Sequence, residues 1–267
     1  METDRRSRNR TASRTVPAAN RSPARDLSRW LVAPWTILVF FPLVAVTTVF
    51  WGFWAVALSA LSRRLAFYSG AIWAWCLCWA SFVRVRVEGR ALARRGQSYV
   101  ILCNHQGDFD ILALYGFLGR QFRWVIKQEL RRVPFLGWGC AAIGHIFVDR
   151  SNSRAAIASL EAAKPRLAGG VSVLFFPEGT RSTDGRLLPF KRGGFVMARQ
   201  LGLPILPVTI SGSLRVLPKR CLFPRPGTIR VRFHPEIDTA AGASLEEIVE
   251  RTRAAIESGL DASERGA

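Results

Sequence analysis

YVILCNHQGDFD, residues 99–110, is the stretch that decides how this chain folds. Tyr99 to Cys103 is a short apolar run with strand character, and a helical apolar pattern begins at Ile111, so the polar residues between them form a strand-to-helix turn. His105 therefore falls at the carboxyl end of a strand, where open α/β sheets place their ligands. On one continuous helix, residues five apart lie about 140° from each other, and His105 could not meet Asp110. With His105 on the turn and Asp110 in the first turns of the helix, the imidazole can fold back over the carboxylate. Asp110 would then keep one ring nitrogen protonated and leave the other free as a base. The plainer reading is a polar residue that caps a helix.

The same texture extends outward from this stretch. Strands are expected at Phe82 to Val87, Phe122 to Ile126, Ile146 to Asp149, Val171 to Phe176, Ile205 to Ile210 and Thr228 to Phe233. Helices are expected at Ile111 to Leu118, Ser153 to Leu167, Phe195 to Leu201 and from Ser244, where Glu247 completes a capping box. Alternating strands and helices mean an α/β domain with a mixed sheet flanked by helices. Val83, Val85 and Val87 alternate with arginines, as do Ile229, Val231 and Phe233, so these two strands should lie near an edge. Val171 to Phe176 is apolar almost throughout and should be interior.

That interior strand ends at Pro177, and Glu178, Gly179, Thr180, Arg181 and Ser182 follow at once. Two polar strand ends can converge on one pocket. Gly179 allows a turn with positive φ, and Arg181 offers a planar fork of donors suited to a phosphate or carboxylate. Lys127, at the end of a third strand, could join Arg181 at an anion, and the run Val133 to Trp138 could meet lipid. Leu206 to Ser213 reads as a buried strand that ends in a small-residue turn. A Cys103 acyl-enzyme is conceivable, but a cysteine within an apolar run is usually structural. His105, Asp108 and Asp110 could ligate a metal, yet His145 and His234 bring no matching cluster, so no metal is expected.

Ahead of the α/β region the chain is different. Residues 1–29 carry eight arginines among Ser, Thr, Pro and Ala and read as a disordered basic tail. Trp30 to Ser62 holds no charged residue, a run of about 50 Å if wholly helical against a hydrocarbon core of about 30 Å. Pro34 and Pro42 should kink or break its first half. After Arg63 and Arg64 a second uncharged run, Leu65 to Val83, is rich in tryptophan. Residues 30–83 thus read as two hydrophobic membrane helices joined by a basic elbow, either crossing twice or embedded in one leaflet. Arginines crowd both flanks, which puts both on the cytoplasmic side. The remaining units are an α/β domain over 84–240 and a C-terminal helix over 241–267.

Composition agrees with a lipid-facing protein. The chain has 267 residues, 49% of them hydrophobic, and a formal charge of +19 from 38 basic and 19 acidic residues. Only Lys127, Lys164, Lys191 and Lys219 are lysines, so arginine carries the charge. Such a chain attracts anionic surfaces, either membrane or nucleic acid. Neither a zinc finger nor an RNA-binding signature is present, and two lipid-length apolar runs fit poorly with a diffusing nucleic-acid binder. Five cysteines without CxxC spacing indicate a reduced compartment.

Four ordered blocks resemble the glycerolipid acyltransferases, and most closely the bacterial 1-acylglycerol-3-phosphate acyltransferases. They are Asn-His-Gln-x-x-x-Asp at 104–110, Lys-x-Glu-Leu at 127–130 with Pro134 and Gly137, Phe-Pro-Glu-Gly-Thr-Arg-Ser at 176–182 and Leu-Pro-Val-Thr-Ile-Ser-Gly-Ser at 206–213. The likeness covers roughly 80–235. It implies transfer of an acyl group from acyl-CoA or acyl carrier protein to the 2-hydroxyl of lysophosphatidic acid, giving phosphatidic acid, without a cofactor or metal. By position, it implies His105 as general base, Asp110 as its orienting partner, and Glu178, Gly179, Thr180 and Arg181 as the glycerol-phosphate site, assisted by Lys127. The family's N-terminal helices would correspond to 30–83, which implies an enzyme of the cytoplasmic membrane, bound to anionic lipid and working on the cytoplasmic face. Another lysophospholipid, a lyso-ornithine lipid or glycerol 3-phosphate are alternative acceptors, and a non-enzymatic Arg-rich membrane or nucleic-acid binder is the remote alternative. Gly107-Asp108 departs from the family, where Ser and an uncharged residue are common, and it puts an extra carboxylate beside the dyad.

Overall fold

A computed structural model describes residues 33–149, 159, 161–167, 169–239 and 242–265. The basic tail and residues 153–158 and 160 of the helix expected at Ser153 to Leu167 lie outside the described residues, and the described end of that stretch closes in a 3-10 turn at Lys164–Arg166.

The N-terminal apolar run is one helix, Ala33–Ser59, whose α-helical body is α1, Phe41–Ser59. Pro42 does not break it. The helix passes through a π-turn at Thr36–Phe40 immediately before the proline, which absorbs the missing N–H. Helix α2, Arg63–Ala80, begins at Ser62, whose hydroxyl accepts from the Arg64 N–H at 3.1 Å. Of the two expected membrane helices, only Ala33–Ser59 is long and apolar enough to cross a bilayer, with a mean hydropathy of 2.0. Helix α2 starts with two arginines and buries Ala66, Phe67, Ala74, Leu77 and Cys78 within the protein. The two form an antiparallel hairpin closed at its base, where the Trp35 indole donates to the Ala80 carbonyl at 3.3 Å.

The α/β region follows as β1 (Val83–Glu88), β2 (Val100–Cys103), α3 (Phe109–Phe117), β3 (Phe122–Lys127), α4 (Leu136–Ile143), β4 (Ile146–Val148), β5 (Ser172–Phe175), α5 (Gly193–Leu201), β6 (Ile205–Ser211), α6 (Ser213–Val216), β7 (Gly227–Phe233) and α7 (Leu245–Ser258). The seven strands form a sheet of order β1-β7-β6-β2-β5-β3-β4. Every pairing is parallel except β6 with β7. The mixed sheet flanked by helices is therefore as expected, with β1 at one edge, β7 beside it and β5 interior.

Strand β2 shows how the two faces are filled. Ile101 and Cys103 join a core with Phe67, Phe109 and Leu114 from α2 and α3, while Val100 and Leu102 join another with Phe195, Ala198 and Ile248 from α5 and α7. This is the period-two alternation of a strand covered on both sides. The C-terminal helix is thus part of the sheet's cover. Ile248 and Ile256 of α7 are fully buried, and at about 1.5–3 kcal/mol each they secure it firmly. Helix α2 is tied to α3 by the stacked rings of Phe67 and Tyr115, 4.9 Å apart.

The elbow between α1 and α2 is bonded to the α/β region. Gln121 donates to the Arg64 carbonyl at 2.9 Å, and the Arg64 guanidinium donates to the Gly169 carbonyl at 3.4 Å. The hairpin is consequently held at its tip as well as along α2.

Candidate active site

Strand β2 ends at the point where the chain must be aimed most accurately. The Asn104 amide donates to the Ile210 carbonyl at 2.8 Å and accepts from the Ile210 N–H at 2.7 Å. This two-point bond pins the end of β2 to the neighbouring β6, and His105 is the next residue. Its Nδ1 lies 2.8 Å from Asp110 Oδ2, so the fold brings the five-apart pair together across the turn. The carboxylate oxygen also accepts from the backbone N–H groups of Gln106 (2.6 Å) and Gly107 (3.0 Å). A carboxylate oxygen can only accept, which fixes the proton on Nδ1 and leaves the Nε2 lone pair unused. Phe176 stacks on the imidazole at 3.9 Å and 9°, so the ring cannot tip away from that plane.

The end of β5 meets this turn because β2 and β5 are hydrogen-bonded neighbours. Glu178 is 3% exposed, and its two oxygens accept from the His105 N–H at 2.7 Å and the Leu188 N–H at 2.9 Å. Burial pushes its carboxyl up to about 7, and those two N–H groups oppose the rise. The Ser182 N–H donates to the His105 carbonyl at 2.8 Å, so both backbone groups of His105 are held by the Glu178–Ser182 turn. Glu178, expected from sequence beside Gly179, Thr180 and Arg181 at a glycerol phosphate, has both oxygens turned inward on backbone amides. A carboxylate would in any case repel a phosphate. Gly179 has φ +70°, the positive value the turn requires.

His105 opens onto a cavity of about 420 Å³. Gly179, Thr180, Arg181, Lys127 and Lys219 supply its polar lining, and Trp73, Tyr115, Trp124, Ile126, Leu136 and Cys140 supply apolar walls. The structure thus brings His105, Gly179, Thr180, Arg181 and Lys127 to one space. Arg181 pairs with Asp108, the extra carboxylate noted in the sequence, and Lys127 pairs with Glu129 at 2.8 Å. Lys219 Nζ donates to Thr180 Oγ1 at 3.1 Å.

Sequence reasoning missed Lys219, because only the folded chain brings it here. The loop after α6 makes a bridge from Pro218 to Gly107, which lays Leu217 to Lys219 along the His105 turn. Cys103 is fully buried, and burial together with the Asp110 charge pushes its thiol far up. A thiol kept protonated inside the core is no nucleophile.

Comparison with known proteins places these features in context. A family model described as "Acyltransferase" matches residues 84–211. A 1-acyl-sn-glycerol-3-phosphate acyltransferase of Limnanthes alba is 34% identical over 242 residues, covering 87% of this chain and 84% of that protein. The protein of the same name in Pseudomonas aeruginosa is 33% identical over 204 residues, covering 74% and 79%. Among solved structures, the 1-acyl-sn-glycerophosphate acyltransferase PlsC of Thermotoga maritima is similar with a TM-score of 0.75 and 27% identity, covering 88% of this chain and 95% of that one.

Proposed function

This chain belongs to the family of the 1-acyl-sn-glycerol-3-phosphate acyltransferases, and from that premise we propose that it moves a fatty acyl group from a thioester to the 2-hydroxyl of lysophosphatidic acid. The observation that carries the reading is the His105–Asp110 pair at 2.8 Å, with Nε2 open to a cavity that has cationic and apolar walls together.

In the proposed reaction Nε2 of His105 takes the proton of the 2-hydroxyl as that oxygen attacks the thioester carbonyl. Asp110 stabilises the imidazolium that forms. When the tetrahedral intermediate collapses, the carbon–sulfur bond breaks and the imidazolium returns its proton to the departing thiolate. The products are the diester lipid and a free thiol, and the step balances with donor and acceptor alone, needing no cofactor. Arg181, Thr180 and Gly179 are assigned to the acceptor phosphate, with Lys127 close enough to contribute. Glu178 is a positioning residue that aims the His105 turn. The apolar walls suit acyl chains.

The donor is acyl-CoA or acyl carrier protein, either of which supplies the thioester. The enzyme sits on the cytoplasmic face of the membrane, held by its hairpin and by attraction of its arginines to anionic lipid. The elbow's bonds to Gln121 and Gly169 support a hairpin embedded in one leaflet, because a tip fixed to the catalytic region cannot reach the opposite face. Purified protein given one acyl-CoA and, in parallel, lysophosphatidic acid, other lysophospholipids, a lyso-ornithine lipid or glycerol 3-phosphate tests the acceptor. Product analysis by mass spectrometry should find phosphatidic acid, and acylation of a different acceptor in its place would move the substrate.

A further inference from the structure

Three cations line the cavity beside His105, and two are already engaged with carboxylates, Arg181 with Asp108 and Lys127 with Glu129. Lys219 has no carboxylate partner among the described residues, and its ammonium bonds only the Thr180 hydroxyl. It is half-buried and projects from a loop that the Gly107–Pro218 bridge fixes against the His105 turn. Resting an ammonium on a neutral hydroxyl leaves two of its three N–H donors free. In lysophosphatidic acid only four covalent bonds separate the attacking oxygen from phosphorus, so the phosphate must lie next to His105. Thr180 and Arg181 are consecutive, so a phosphate that reaches the Arg181 fork also reaches the ammonium on Thr180.

Resting on the reading above, we infer that Lys219 is a phosphate-binding residue of the acceptor site and supplies the uncompensated positive charge that selects a phosphate monoester. With Asp108 on Arg181 and Glu129 on Lys127, those two pairs are close to neutral. Lys219 then sets the sign of the polar wall. A monoester dianion gains more from it than a phosphodiester with one negative charge, so Lys219 should discriminate lysophosphatidic acid from lysophospholipids with larger headgroups.

The test uses the full-length protein in detergent, with glycerol 3-phosphate as a soluble headgroup probe, and compares wild type with Lys219→Gln and Lys219→Arg. Glutamine still donates to Thr180 but carries no charge, so a lysine that merely holds the loop would be replaced without loss. Calorimetric titration should show glycerol 3-phosphate binding weakened about tenfold or more in Lys219→Gln and largely restored in Lys219→Arg. In steady-state assays the KM for lysophosphatidic acid should rise by a similar factor in Lys219→Gln while kcat stays within about threefold. Equal probe binding and equal KM in wild type and Lys219→Gln would overturn the inference and leave the proposed reaction standing. Lysine-dependent probe binding in a wild type that does not acylate lysophosphatidic acid would do the reverse.

Discussion

Replacing Asp110 by Asn separates the positioning of His105 from the charge that supports it. Asp110 is fully buried, and its Oδ2 accepts from the His105 ring and from the N–H groups of Gln106 and Gly107. An asparagine carbonyl placed there keeps all three bonds. Its NH2 then occupies the site of Oδ1, a buried atom with no hydrogen-bond partner among the described residues, and an unmatched donor costs about 1–3 kcal/mol. The three bonds also lose their charge, but a buried carboxylate is relieved, so the net destabilisation should be about 2 kcal/mol. The catalytic cost is larger. Imidazolium and carboxylate charges about 4 Å apart attract by about 4 kcal/mol at an effective dielectric of about 20, near a thousandfold in rate. Thiol release from acyl-CoA, followed with saturating lysophosphatidic acid, should show kcat lower by about that factor and KM for the acceptor within about threefold. Asp110→Ala is less informative, because it strands two buried backbone N–H groups as well. A folded Asp110→Asn enzyme with kcat within tenfold of wild type would refute the claim that the carboxylate supports the base.

The Glu178 carboxyl, pushed up to about 7 from an ordinary 4.5, implies a pH effect of definite sign. The unfolded chain loses this proton first, so stability falls as pH rises from about 4.5 to about 7, by about 3 kcal/mol for this group, and is flat above. Denaturant midpoints across that range should fall less steeply in Glu178→Gln than in wild type, and identical slopes would remove the effect. Gly212 has φ +90°, and a Cβ there would lie 2.4 Å from the Thr228 carbonyl oxygen. Gly212→Ala should therefore cost about 2 kcal/mol or more and lower the melting temperature by about 4–8 °C, and an unchanged melting curve would contradict it. A hairpin embedded in one leaflet puts the exposed Leu61 of the elbow on the catalytic side. An impermeant thiol reagent should label Leu61→Cys more than wild type from that face of sealed vesicles, and added labelling from the opposite face would mean two crossings.

Much of this was legible because strand ends announce themselves. Tyr99 to Cys103 and Val171 to Phe176 are apolar runs that stop abruptly at polar residues, and both stops are at the site. What sequence could not supply depends on neighbours fixed by the sheet. The bond from Asn104 to Ile210 spans 106 positions and exists only because β6 lies beside β2. Glu178 reads as part of a polar turn, and only the fold shows its oxygens directed onto the amides of His105 and Leu188. Nothing in the sequence around Lys219 sets it apart, and only the Gly107–Pro218 bridge of the folded chain places it on Thr180. The second apolar run reads as a full span in the sequence, but the folded helix divides it, with Phe67 and Leu77 in the core against α3 and Ile72, Trp75 and Trp79 exposed.

The central claim is that His105 activates the hydroxyl of a lysophosphatidic acid acceptor. Its most direct test is thiol release from acyl-CoA by detergent-solubilised wild type and His105→Ala, with and without lysophosphatidic acid. Release that needs the acceptor in wild type and falls to background in His105→Ala, while that variant keeps its melting temperature, is the expected result. Equal acceptor-dependent rates in the two proteins would contradict the account.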